Sequence, residues 1–234
     1  MPLRHLLLFL PTLLLSGCIG PAADNTVTGR ESAAGWKSLF DGRTFAGWRG
    51  YRLKGLPALG WEIKDGTLKT VPKVKGVELI TAQKFNNFEL TWEWKIAEGG
   101  NNGVKYFVTE DRPSAPGQEY QMIDDARHPD ALRGPLYQTA AFYDVLPPAA
   151  DKPLRPAGAW NFSRLVVNGL HVEHWLNGVK VLAYELDSPE VKAGIARSKF
   201  KNAPGFGAKI AGPIMLTYHN DECWYRNIKI RELP

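Results

Sequence analysis

Three Asx-Gly pairs, Asp65-Gly66, Asn168-Gly169 and Asn177-Gly178, constrain this chain more than any other feature. Each is flanked by β-branched or aromatic residues. Such pairs tolerate the positive φ angles of the tight hairpin turns whose twist matches that of the strands. The last two lie nine residues apart, so 162–167, 170–176 and 179–186 are predicted to form a three-stranded meander. Strand-like runs also occupy 88–96, with Phe88, Leu90, Trp92 and Trp94 on one face, and 104–108, 119–123, 214–218 and 224–230. Only 188–199 reads as helix. Many short strands, eight tryptophans and little helix predict an all-β sandwich. Most of the tryptophans are expected in the core or packed on a sheet, with at most one or two left to stack on a ligand.

At the N-terminus Arg4 precedes an apolar run, 6–15, that is too short to span a bilayer and leads into Leu15-Ser16-Gly17-Cys18. This is the layout of a secretory leader with a lipobox. Small Ser16 and Gly17 give a peptidase access to the bond before Cys18, whose thiol then carries lipid. The expected organisation is a leader over 1–17, a lipidated flexible tether over 18–35 and one domain over 36–234. Ile19 in place of Asp after the cysteine resembles lipoproteins sent to the outer membrane, so a periplasmic or cell-surface location is expected. With Cys18 acylated, the second of the two cysteines, Cys223, has no disulfide partner and reads as a core residue. The net charge of +5 is scattered among acidic residues, which argues against a nucleic-acid partner and leaves at most slight attraction to anionic lipid.

Polar and ionisable residues crowd the tract 99–130, where they interrupt two strand-like runs; such groups are costly to bury without partners and point to a cleft. On a strand, Glu119 and Gln121 share a face, whereas Asp124 points away unless a bulge turns it back. The spacing resembles the E-x-D-x-x-E strand of jelly-roll glucanases, with Gln121 in place of the middle carboxylate. An amide cannot relay a proton, which compromises the usual retaining pair. Gly99 to Gly103 reads as a tight turn with Lys105 just beyond it. His219 precedes the last strand, and Arg226 either reaches the same cleft or braces Asp124 or Glu93. His171 and His174 face opposite ways on a strand and cannot share a metal. No nucleotide-binding glycine loop or Gly-x-Ser-x-Gly elbow is present.

Taken in order, LFDGRTFAGW (39–48), WEIKDGTL (61–68), the tract 99–130, WNFSRLVVNG (160–169), HWLNGVKV (174–181) and WYRNIKIREL (224–233) resemble the bacterial DUF1080 family, the 3-keto-disaccharide hydrolase or 3-keto-glycoside lyase/hydratase domain. The resemblance implies a concanavalin A-like jelly roll with the site on its concave sheet. It places Asn102 and Lys105 at the rim of that site and His219 within it. The family's usual L-Q-D-H-G is altered here to Leu216-Thr217-Tyr218-His219-Asn220. The implied activity is cleavage of 3-keto-glycosides by elimination and hydration. In that reading Glu119 or His219 is the base, Asp124 the acid or an orienting partner, Lys105 and Arg226 the charge stabilisers, and Asn102, Gln121 and Glu93 substrate contacts. The sequence leaves open a divalent metal as electrophile. It also leaves two other readings, an ordinary glycoside hydrolase with paired carboxylates and a non-catalytic carbohydrate-binding lipoprotein.

Overall fold

The computed structural model describes residues 25–112 and 114–234. The leader, Cys18 and the first part of the expected tether lie outside the described residues. In chain order the elements are α1 (Gly29–Ala33), β1 (Lys37–Ser38), β2 (Trp48–Gly50), β3 (Trp61–Lys64), β4 (Thr67–Thr70), β5 (Leu79–Thr81), β6 (Phe88–Ile96), β7 (Asn101–Tyr106), β8 (Gln118–Ile123), β9 (Asn161–Asn168), β10 (His171–Leu176), β11 (Val179–Glu185), α2 (Pro189–Arg197), β12 (Met215–Leu216) and β13 (Cys223–Glu232). They build an all-β jelly-roll sandwich. An eight-stranded antiparallel sheet runs β11-β10-β9-β6-β13-β4-β3, with β1 also on β13, and faces a five-stranded sheet ordered β2-β5-β12-β7-β8.

The expected hairpins form. Asp65 and Gly66 (φ 50° and 70°) join β3 to β4, and Asn177 and Gly178 (φ 47° and 88°) join β10 to β11. The middle turn is shifted by one residue: Asn168 pairs with His171, so the loop is Gly169-Leu170, with positive φ at its first position alone. That is the pattern of a type II′ turn, which needs glycine first and accepts leucine second. Helix α2 starts where Ser188 caps it by accepting from Val191 N at 3.2 Å.

Strand alternation puts Phe88, Leu90, Trp92 and Trp94 into the core, each 1% exposed, with Trp92 against Tyr120 and Met122 of β8. Each of the two tryptophan rings contributes roughly 4–6 kcal/mol of apolar burial. The polar ends are also satisfied: Trp94 Nε1 donates to Ser163 Oγ (2.8 Å), which donates to the Tyr120 hydroxyl (2.9 Å), which donates to Trp175 O (3.0 Å). His171 is paired with Glu185 at the surface while His174 is fully buried, as the alternation required. Cys223 is a free, buried strand residue.

One expectation is corrected. The sequence places 25–35 within a flexible tether, yet this stretch is anchored from the first described residue, Asn25, which is 5% exposed. Asn25 Nδ2 donates to Gly66 O (2.7 Å) and Asn227 N donates to Asn25 Oδ1 (2.9 Å). A capping box of Thr28 and Glu31 starts α1, and Lys229 holds Glu31 at 2.7 Å. Composition hid this because the anchoring groups are polar and their partners lie about 200 residues away in β13 (separation 202).

Candidate active site

Pairing of β7 with β8 builds the floor of a cleft of about 440 Å³ on the outer face of the five-stranded sheet. The register sets Asn101 opposite Ile123, Gly103 opposite Gln121 and Lys105 opposite Glu119. Alternation then sends Asn101, Lys105, Glu119 and Gln121 outward, while Asn102, Val104, Tyr106, Tyr120 and Met122 face the core. Gly103 is required at the centre of this floor. A Cβ there would lie 2.2 Å from Glu119 Oε1, so the carboxyl rests directly on the bare backbone.

Glu119 is the one carboxylate lining the cleft among the described residues. Its side chain is 8% exposed, its Oε2 lies 3.4 Å from Lys105 Nζ, and its Oε1 faces His219 Nε2 at 3.9 Å. Burial by itself raises the Glu119 pKa, but Lys105, then His219 and Lys199, outweigh it and hold the group down at about 2. The group is therefore a carboxylate at any physiological pH. Glu119 Oε1, Gln121 Oε1 and Asn101 Oδ1 are buried without a hydrogen-bond partner. Three bare acceptors on one floor suit a ligand rich in hydroxyl donors.

The walls come from segments distant in sequence. The chain at 138–146 runs beside β8, with Ala140 N donating to Gln121 O (2.8 Å) and Tyr143 N to Glu119 O (3.1 Å). This path places Tyr143 at the cleft, where its hydroxyl donates to Asp130 Oδ2 (2.5 Å). Lys199, just past α2, is fixed through its backbone N to Asp144 Oδ2 (2.7 Å) and reaches the Tyr143 hydroxyl with Nζ at 3.3 Å. Ala115, Pro116, Phe200 and Ala203 add the apolar part of the wall, where Phe200 meets Tyr143 edge-on at 6.3 Å and stacks on Phe206 at 4.2 Å.

Lys105, Glu119, Gln121 and His219 thus line one cleft, and three expectations are corrected. Asn102 is fully buried on the core face, where its Oδ1 accepts from Thr217 Oγ1 (2.8 Å) and the Tyr225 hydroxyl (2.7 Å). Its neighbour Asn101 occupies the cleft instead. Asp124 closes a turn, accepting from Gly99 N (2.8 Å) and Ala126 N (3.1 Å), and lies outside the cleft. Glu93 and Arg226 pair on the outer face of the other sheet (2.8 Å), where Arg226 covers the Trp160 ring. Among the described residues the cleft is lined by no tryptophan; its benzenoid rings are Tyr143 and Phe200. The change from the usual L-Q-D-H-G falls outside the cleft too. Thr217 bonds Asn102, and the Tyr218 hydroxyl donates to Val71 O and Val74 O.

The turn role of Asp124 gives a direct expectation. Replacing Asp124 by Ala leaves two N–H groups without acceptors and lowers stability by about 1–3 kcal/mol in chemical denaturation, while turnover stays within about threefold of wild type. A collapse of turnover with unchanged stability would return Asp124 to the catalytic group.

A sandwich with an outer-face cleft holding a lone carboxylate, two ammonium groups and an imidazole defines the structural class. The chain belongs to the 3-keto-alpha-glucoside-1,2-lyase-like domain family, whose model matches residues 35–231. It is 35% identical over 235 residues to a 3-keto-disaccharide hydrolase of Bacteroides thetaiotaomicron, covering 86% of this chain and 79% of that one. Two crystal structures from Parabacteroides distasonis, described as candidate glycosyl hydrolases, share the fold. One superposes with a TM-score of 0.81 at 31% identity, over 91% of this chain and 100% of its own, and the other with 0.69 at 28%, over 85% and 99%.

Proposed function

We propose that this protein is a carbohydrate hydrolase that cleaves 3-keto-glycosides, 3-keto-disaccharides among them, by elimination and hydration. The observation that carries this reading is the lone carboxylate of the cleft. Displacement with paired carboxylates needs two acids flanking one bond, and Asp124 and Glu93, the other acids considered for that role, lie elsewhere. A ketone at C3 removes that need, because it acidifies the C2 proton. One base takes the proton, a cation holds the enolate oxygen, and the aglycone leaves from C1; water then adds across the double bond.

His219 is assigned as the base. Its side chain is 39% exposed against 8% for Glu119, so it meets substrate first, and Lys105 beside the Glu119 carboxylate weakens that group as a base. Glu119 supplies the negative charge that favours the imidazolium as it forms, and the proton taken up by His219 is then available to the leaving oxygen. Lys105, with Lys199 at the rim, offers positive charge to the enolate oxygen, and Asn101 and Gln121 accept from sugar hydroxyls. The test is to incubate the protein with a 3-keto-disaccharide and with the parent disaccharide, with and without chelator. Release of sugar from the keto compound alone is expected; cleavage of the parent alone would overturn the elimination route.

We further propose that the chain is lipidated on Cys18 and held on the periplasmic or cell-surface side of a membrane, where substrate reaches it from outside the cytoplasm. The Leu15-Ser16-Gly17-Cys18 motif supports this. Mass analysis of the mature protein is expected to show an acylated N-terminal cysteine, and an intact Met1 on an aqueous protein would refute it.

A further inference from the structure

The outer face of the eight-stranded sheet carries a second groove, of about 340 Å³, remote from the cleft. Its floor is a row of cations and indoles set by strand register. Lys69 pairs across to Trp224, and Trp224 to Lys95. Lys95 Nζ lies 4.5 Å from the Trp224 ring centre and 5.3 Å from that of Trp160, and Lys69 Nζ lies 5.1 Å from Trp224. Lys69 is paired with Glu222 (2.6 Å) and Arg226 with Glu93 (2.8 Å). Lys95, at the centre, has indoles rather than carboxylates as its cross-strand neighbours, and among the described residues neither it nor Lys64 at the rim is in an ion pair.

The position of the groove says what covers it. Asn25, the first described residue, is held by Gly66 and Asn227, and the groove is lined by their neighbours Asp65 and Arg226. The seven residue-to-residue steps from Cys18 to Asn25 span at most about 25 Å at full extension. A lipid on Cys18 therefore keeps this end of the sheet within that distance of the bilayer. Half-buried tryptophans beside lysines are the side chains that settle at a bilayer interface, indole at headgroup depth and ammonium on lipid phosphate.

We infer that this groove is a membrane-docking surface for anionic phospholipid headgroups, which seats the domain with its cleft turned away from the bilayer. The inference rests on the lipidation of Cys18. Lys95 and Lys64 meet the phosphates, Trp160 and Trp224 enter the interface, and the opposite outer face, with Glu119 and His219, stays open to solvent.

The full chain, matured in a lipidating host, is reconstituted into phosphatidylcholine vesicles with or without roughly one-third phosphatidylglycerol, and its lysines are footprinted by an amine-reactive label. On the anionic vesicles, labelling of Lys95 and Lys64 is expected to fall by at least about threefold relative to detergent micelles, and to recover in high salt as headgroup attraction is screened. Lys199, at the cleft rim, keeps its labelling. Unchanged labelling of Lys95 on an acylated, vesicle-bound protein would overturn the docking surface and leave the anchor standing, as would protection centred on Lys199. A protein lacking acyl mass and remaining in the supernatant would overturn the anchor and the docking surface together.

Discussion

Replacing Glu119 by Gln is expected to lower kcat on a 3-keto-disaccharide by roughly 10²- to 10⁴-fold while KM moves by no more than a few fold. The amide has the size of the carboxyl, so it still rests on Gly103, where the bare backbone approaches the group most closely. What it lacks is the charge facing His219 Nε2 at 3.9 Å. An imidazole that gains a proton beside a neutral amide forfeits its counter-charge in a poorly solvated site, so the loss falls on the transition state rather than on binding. Steady-state kinetics decides the matter. A variant that keeps more than about a third of wild-type kcat would remove Glu119 from the mechanism.

Replacing Lys105 by Met is expected to damage both stability and activity. The ammonium lies 3.4 Å from a carboxylate that is 8% exposed, and removing it leaves that charge with only His219 at 3.9 Å and the weaker influence of Lys199. Breaking a buried pair from one side costs about 3–5 kcal/mol, or roughly 10 °C in Tm for a domain of this size. The sign with pH follows from the wild-type shift. A carboxyl held at about 2 against an ordinary 4.5 contributes stability, about 3 kcal/mol, that is present in full above about pH 5 and lost as pH falls from about 4.5 towards 2. Without Lys105, burial dominates and the Glu119 carboxyl titrates higher. The deficit relative to wild type is therefore greatest at neutral pH and shrinks as acid protonates Glu119. Thermal melts of both proteins from pH 7 down to about pH 2.5 measure this, and a deficit independent of pH across that range would refute the pairing. Adding Glu119→Gln to the Lys105→Met variant is expected to restore most of the stability and none of the turnover.

Much of the fold is legible in the chain because its signals are local. Asp65-Gly66 and Asn177-Gly178 dictate hairpins through backbone conformations that few other residues accept, and Phe88, Leu90, Trp92 and Trp94 declare a buried strand face by their period of two. The same period places Glu119 and Gln121 together, and it separates His171 from His174. What the chain alone left undecided was which face of β7 meets the cleft. The glycines and asparagines of 99–103 read as a turn, but from Asn101 onward they are strand, paired in register with β8. In a strand, a step of one residue exchanges the two faces. Asn102 thus became a core hub for Thr217 and Tyr225, and Asn101 became the cleft residue. Tyr143 and Lys199 carried no sequence signal. Tyr143 sits in an apolar stretch whose path depends on positive φ at Ala140 and Asp144, and Lys199 follows an unremarkable helix. Their meeting beside Glu119 is a product of long-range packing. Turn chemistry and residue alternation are written locally in this sequence, but the partners that give a buried charge its pKa and its use are assembled by contacts between distant segments, and those only the tertiary structure decided.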